Sequence, residues 1–259
     1  MSDLHRNGVA IVIPVYKTEM TDYERASLTQ AIHILGSRDF FFICPNELDS
    51  SKYLSFLNNS STNINFKFLQ FQDAYFDSVK GYNKLMLSTS FYQSFTAYQY
   101  ILIHQLDAWV FKDELDYWVN KKYDYIGAPW IDWFWCSYYA GHLTFPRRTL
   151  YKLGYRKFNL VGNGGFSLRK VSSSINNLKL FSRAADKFEQ NEDFFFSFFI
   201  NSYNPFFKVA PFKKALQFSF DELPEKLYEA NNNQLPMACH AWPKYIDFWK
   251  EFINIKQVQ

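Results

Sequence analysis

Four short apolar runs, separated by stretches with helical spacing, do most to limit what this chain can fold into. Val9 to Tyr16 is β-rich and is stopped by Pro14. Thr21 to Leu35 carries apolar residues at helical spacing and ends at Gly36, a natural helix stop. Phe40 to Pro45 is a second strand closed by proline, Lys52 to Leu57 a short helix, and 58–63 a polar loop. Asn65 to Phe71 alternates and reads as a third strand, Ser78 to Tyr98 as a helix, and Tyr100 to Leu106 as a fourth strand. This alternation predicts an α/β fold, with a mostly parallel central sheet and helices on both faces. Ligand sites in such sheets lie beyond the carboxyl ends of the strands. Pro14, Val15, Tyr16 and Lys17 follow the first strand there, and Gln105 and Asp107 end the fourth.

Beyond Trp109 the pattern is mixed. Asp113 to Asn120 reads as a short helix with Asp113 as its N-cap, and Asp124 to Trp130 as a short strand and turn. The stretch 131–145 is aromatic and irregular. Leu160 to Arg169 reads as a tight turn into a strand, Val171 to Phe181 and Asp193 to Ile200 as helices, and Tyr245 to Ile253 as a last helix. No repeat or linker divides the chain. A single domain over 1–259 is expected, with a nucleotide-binding half (1–109) and an acceptor-binding half (110–259).

Composition narrows the function classes. Twenty-eight basic and 25 acidic residues give a net charge of +3, too balanced for a dedicated nucleic-acid binder. Cys44, Cys136 and Cys239 are odd in number and widely spaced, which suits neither a disulfide framework nor a zinc site. A cytoplasmic protein is expected, with peripheral contact at the inner face of the membrane left open, because no stretch approaches the roughly 20 apolar residues of a membrane span. Aromatics reach 21%. They fill a core, and any surplus could line a groove for sugars or nucleobases.

Several residues could carry chemistry. A carboxylate at a strand end, Asp107, is either a turn residue or a charge placed over a ligand; Gln105 beside it could ligate or hydrogen-bond. Gly162-Asn163-Gly164-Gly165 is a strong hairpin signal and also a place where backbone can approach a ligand closely. It matches neither the dinucleotide fingerprint nor a P-loop. Glu192 and Asp193 open an apolar helix, where carboxylates suit the helix dipole or serve as a general base. His240 is a structural histidine, a metal ligand or a grip on a diphosphate. Tyr82 could stack on a base and Lys84 could face a phosphate, or both could be ordinary surface residues.

Taken in order, Gln105 to Asp107, Tyr125 to Trp130, Val161 to Arg169, Glu192 to Phe195, Phe218 to Glu222 and His240 to Trp242 resemble a family of unknown function. It is a family of bacterial glycosyltransferases with a GT-A-like fold, found among genes for cell-surface polysaccharides such as lipopolysaccharide. The resemblance implies transfer of a sugar from a nucleotide-diphosphate donor, a UDP-sugar by preference, to a glycan or lipid-linked acceptor. It places Pro14 to Lys17 at the nucleotide and Asp107 at the metal or donor. Trp130, Gly164 and Gly165 then border the sugars, Glu192 and Asp193 supply the base, and His240 joins the metal or diphosphate. A divalent cation, Mn²⁺ or Mg²⁺, is implied; the family's Asp-x-Asp is Gln105-Leu106-Asp107 here, with one carboxylate fewer. The main rival is a non-catalytic carbohydrate-binding or scaffold protein, favoured by the aromatic surplus. A nucleotidyltransferase is disfavoured by the single Asp107.

Overall fold

A computed structural model describes residues 8–60, 62–131, 149 and 161–254. Cys136 and all but Ile131 of the aromatic stretch 131–145 lie outside the described residues, as does Leu160.

The first half alternates as expected. It runs β1 (Val9–Pro14), α1 (Asp22–Leu35), β2 (Asp39–Pro45), α2 (Ser51–Asn58), β3 (Asn65–Phe71), α3 (Val79–Met86), α4 (Thr89–Gln93) and β4 (Tyr100–His104). Thr21 caps α1 in a full capping box with Glu24, satisfying donors that the first turn leaves open. The expected helix Ser78 to Tyr98 is in fact two. The α3 ladder ends at Leu87, and the Ser88 hydroxyl takes the Phe91 amide at 3.3 Å to cap α4. Helical spacing alone does not reveal such a break, because the apolar face continues across it.

In the second half come β5 (Trp109–Val110), α5 (Leu115–Asn120), β6 (Tyr125–Ile126), β7 (Phe166–Lys170), β8 (Ser219–Phe220) and β9 (Ala238–Cys239). The expected strand from Asp124 is cut to two residues at Gly127, against which the Gly162 carbonyl packs. The helix opened by Glu192 widens into a π-helical segment over Phe195–Ile200. The last expected helix is a 3-10 turn (Trp242–Tyr245) followed by Ile246–Trp249.

The main sheet has the order β3-β2-β1-β4-β7-β6. The first four strands in that order are parallel, and β7 and β6 run antiparallel to their neighbours. All of β1 and β4 is buried, as central strands require, whereas β3 at the edge is largely accessible. Alternate residues face opposite layers. Ile11, Ile13 and Leu102 pack with α1, while Ala10, Val12, Ile101 and Ile103 pack with Leu85, Phe91 and Phe95 from the α3–α4 side. A second, three-stranded sheet, β5-β9-β8, gathers the C-terminal region. It is tied to α1 by the Trp242 indole, which donates to Ser27 Oγ at 2.8 Å.

This order fixes the site. The chain winds from β1 outward to β3, then returns to place β4 on the other side of β1. The carboxyl ends of β1 and β4 therefore flank the point where winding direction reverses, the position at which doubly wound sheets leave a crevice.

Candidate functional site

A cavity of about 910 Å³ opens at that crevice. Pro14, Val15, Tyr16 and Lys17 line it from the end of β1, and Gln105 and Asp107 from the end of β4. Tyr82, Trp130, Gly164, Gly165, Glu192, Asp193 and His240 complete it from five further segments. Of the residues singled out in the sequence as possible carriers of chemistry, Gly162 and Lys84 are not on its wall; Lys84 is exposed on α3. Lys244, which the sequence did not single out, lines the cavity instead. Tyr82 lines the cavity from α3. Its hydroxyl is enclosed within reach of the Glu192 and Arg169 charges, and burial pushes its pKa up.

His240 organises the β4 side. Its Nε2 stands 2.9 Å from Gln105 Oε1 and 3.1 Å from Asp107 Oδ1, and its Nδ1 3.0 Å from Asp221 Oδ1. Acceptors on both nitrogens favour the doubly protonated ring. Burial opposes that charge, but the Asp107 and Asp221 carboxylates outweigh it and raise His240 to about 10. Burial likewise works to raise Asp107, and the imidazolium more than offsets it, so this carboxyl sits below its ordinary value. Asp221 is a site residue that the spacing of charges did not reveal. It joins through β8, which lies beside β9 and so delivers Asp221 to the histidine that follows Cys239.

Among the described residues, no group of three His, Cys, Asp or Glu side chains is arranged to hold a metal ion. The donor chemistry at His240 nonetheless fits one. A carboxylate oxygen and an amide oxygen converge on Nε2, and Asp221 backs Nδ1 as a carboxylate that orients a ligating imidazole. Such a mixed oxygen and nitrogen set suits Mn²⁺ or Mg²⁺ once the ring is neutral.

The opposite wall holds the two adjacent carboxylates, and the structure separates their environments. Glu192 accepts from the guanidinium of Arg169 at 2.6 Å, and both side chains are almost fully buried. Among the described residues, no cation forms an ion pair with Asp193. Its two oxygens accept the backbone amides of Asn163 at 2.7 Å and Phe194 at 2.6 Å. Burial, then the Glu192 charge, pushes the Asp193 carboxyl up to about 7, against the pull of those amides and of Arg169. A carboxylate tuned near neutrality in a cavity wall is what a general base requires.

The turn between these walls is not a hairpin. Asn163 takes a left-handed φ of 60°, and its side chain accepts the Gly165 amide at 2.8 Å. The other end of the same amide group lies 3.2 Å from His240 Nδ1. The glycines serve close approach, though to the protein's own side chains. A Cβ on Gly164 would meet Glu192 Oε1 at 2.0 Å, and one on Gly165 would meet His240 Nε2 at 2.1 Å.

At the β1 end Lys17 pairs with Glu24 at 3.6 Å, and Tyr16 is more than half exposed beside it. Trp130 leans on Phe194 with its ring over Gly162. Most of the aromatic surplus is consumed internally, in edge and stacked pairs such as Phe194 on Phe198 and Phe195 on Phe199.

Residues 65–240, more than half of the chain, match a family described as protein of unknown function (DUF5672). No curated protein matches the sequence. Solved structures share the fold at low identity. A galactosyltransferase, LgtC, in complex with donor and acceptor sugar analogs is 14% identical, with a TM-score of 0.53 over 89% of this chain and 86% of that one. Core-mannan synthase A from Aspergillus fumigatus, in its Mn/GDP form, is 12% identical with a TM-score of 0.53 over 82% and 74% of the two chains. Mouse xyloside xylosyltransferase 1 is 11% identical with a TM-score of 0.56 over 90% and 97%. The α/β fold with its mostly parallel sheet is thus the one these glycosyltransferases share.

Proposed function

The chain belongs to the DUF5672 family of proteins of unknown function, and we propose that it is a nucleotide-sugar-dependent glycosyltransferase. In this reading it moves a sugar from a nucleotide-diphosphate donor, a UDP-sugar by preference, to a saccharide or lipid-linked glycan acceptor in cell-surface polysaccharide synthesis. The observation that carries it is the pairing of two unlike walls across one cavity at the strand switch point. One is a cationic His240 among Asp107, Gln105 and Asp221; the other is Asp193, a carboxyl raised towards neutrality.

The chemistry follows from those walls. The donor's nucleotide lies against Pro14, Val15, Tyr16 and Lys17, and its diphosphate points toward His240 and Lys244. Asp193 takes the proton of an acceptor hydroxyl, whose oxygen attacks the anomeric carbon. The bond from that carbon to the diphosphate oxygen breaks, and its electron pair leaves with the diphosphate, giving inversion. Protonated His240, with Lys244, stabilises the charge that develops on the leaving group. Alternatively, with the His240 ring neutral, Asp107, His240 and Gln105 would hold Mn²⁺ or Mg²⁺, which would supply that neutralisation of the diphosphate in place of the imidazolium. Trp130, Gly164 and Gly165 border the sugars. Residues 1–109 act as the nucleotide-binding half of one domain and 110–259 as its acceptor-binding half. No helix among the described residues is long and apolar enough to cross a membrane; a cytoplasmic enzyme that touches the inner membrane face peripherally completes the reading.

The test is release of UDP and transfer of label from a panel of UDP-sugars, with product stereochemistry read by NMR. Wild-type turnover that vanishes in Asp193→Asn, with the fold retained, is the expected result. Sugar binding without any nucleotide affinity would instead favour a carbohydrate-binding or scaffold protein.

A further inference from the structure

The reaction needs one base, and the cavity wall presents two adjacent carboxylates. We propose that Glu192 is not a second base but one half of a buried positioning pair with Arg169, which fixes the turn against Asp193 and sets the electrostatic surroundings of that base. The inference rests on the reading of Asp193 given above and assigns roles to two residues that this reading leaves without one.

The geometry is specific. Arg169 lies on β7 and is completely buried. Its Nε donates to Ser167 Oγ at 3.0 Å, one terminal nitrogen to the Tyr92 hydroxyl at 3.1 Å, and the other to Glu192 Oε1 at 2.6 Å and to the Gly164 carbonyl at 3.5 Å. The guanidinium also stands 5.5 Å from the ring centroids of Tyr125 and Phe196. Every edge of its planar fork is therefore occupied, which leaves Glu192 without freedom to turn toward a substrate hydroxyl. The Glu192 carboxylate in turn fills the space that a Cβ on Gly164 would take. The pair thus holds the turn from beneath, and the turn reaches Asp193 through the Asn163 amide and His240 through the Asn163 side chain.

The same contacts explain why a charged Glu192 is tolerated beside Asp193. Two buried carboxylates adjacent in sequence repel, and one is pushed toward protonation unless a cation intervenes. Arg169 engages Glu192 directly at 2.6 Å, so the burden of the repulsion falls on Asp193. Among the described residues, the charged and titratable groups that act on Asp193 are Glu192 from its own helix, Arg169 from β7 and Tyr125 from β6, together with the amides of Asn163 and Phe194.

The test reads Asp193 directly, by the ¹³C shift of its carboxyl against pH, and so does not depend on turnover. In Glu192→Gln the neighbouring charge is removed while a hydrogen bond to Arg169 is kept. The Asp193 midpoint should fall by about one pH unit. If the protein turns over a sugar donor, kcat/KM should fall less than about tenfold, with its acid limb displaced by the same amount. An unmoved midpoint, or a pH-independent loss of about a thousandfold or more, would overturn the proposal, the latter by making Glu192 itself the base. Arg169→Lys is the second variant. It keeps the charge but not the fork, so the midpoint should stay and the Asn163 and Gly165 amide resonances should broaden or shift. Unchanged resonances would show that the pair does not position the turn. Failure of the wild type to turn over any donor would count against the glycosyltransferase reading alone.

Discussion

Replacing Gly165 with alanine isolates the close approach on which the His240 wall depends. Gly165 does not have a left-handed φ, so alanine brings no backbone strain, and the whole effect is steric. The new Cβ would stand 2.1, 2.4 and 2.5 Å from three atoms of the His240 ring, against the 3.4 Å at which ordinary contact begins. The imidazole must retreat by roughly 1.3 Å, which no side-chain adjustment in a packed site absorbs freely. From starting lengths of 2.9, 3.1 and 3.0 Å, its bonds to Gln105, Asp107 and Asp221 cannot all survive that displacement. The expected destabilisation is about 2 kcal/mol, in the range for overpacking a filled site. A double-mutant cycle with His240→Ala, read by urea unfolding, separates this account from a generic alanine effect. Gly165→Ala should cost about 2 kcal/mol in the wild-type background and close to nothing once the ring is gone. Additive costs in the cycle would refute the steric reasoning.

Other outcomes follow from the same contacts. Arg169→Met should destabilise by about 3–5 kcal/mol in denaturant titration, because it leaves Glu192 buried without its partner. The raised Asp193 carboxyl makes stability depend on pH. With a folded value near 7 and an ordinary unfolded value, its contribution is fully present below about pH 4 and is lost as pH rises through 7. Urea midpoints of wild type and Asp193→Asn across pH 4 to 8 should therefore diverge in that window and run parallel outside it. Asp193→Asn should also lower turnover by about 10²–10⁴-fold. Lys84→Ala should leave nucleotide affinity unchanged while Lys244→Ala weakens it, since only Lys244 lines the cavity.

The sequence disclosed the sheet and the address of the site for a physical reason. Central parallel strands are buried on both faces, so β1 and β4 read as unbroken apolar runs, and their carboxyl ends are then known without coordinates. Pro14 to Lys17 and Asp107 are legible in this way, and the Glu192–Asp193 pair is legible from its place at the start of an apolar helix. Events that depend on a single hydroxyl or on long-range packing stayed hidden. Ser88 splits one expected helix in two, and the turn at Asn163 binds side chains from 30 and 77 residues away where a hairpin is expected. Of the two roles open to Lys84, its exposure on α3 away from the cavity wall agrees with an ordinary surface residue. Arg169 carries a signal in the strand pattern. In Phe166-Ser167-Leu168-Arg169 the polar residues alternate with apolar ones inside a buried strand, which puts Ser167 and Arg169 on one face, where they hydrogen-bond to each other. Asp221 falls in the family-like segment Phe218 to Glu222, but nothing in its spacing assigns it a role, since the pairing of β8 with β9 is what brings it to His240.

Calorimetric titration of UDP, with and without Mn²⁺, tests the central claim most directly. The account predicts binding heat that strengthens with the cation and is lost in Asp107→Ala, with the fold intact. Absence of heat from UDP under both conditions would contradict it.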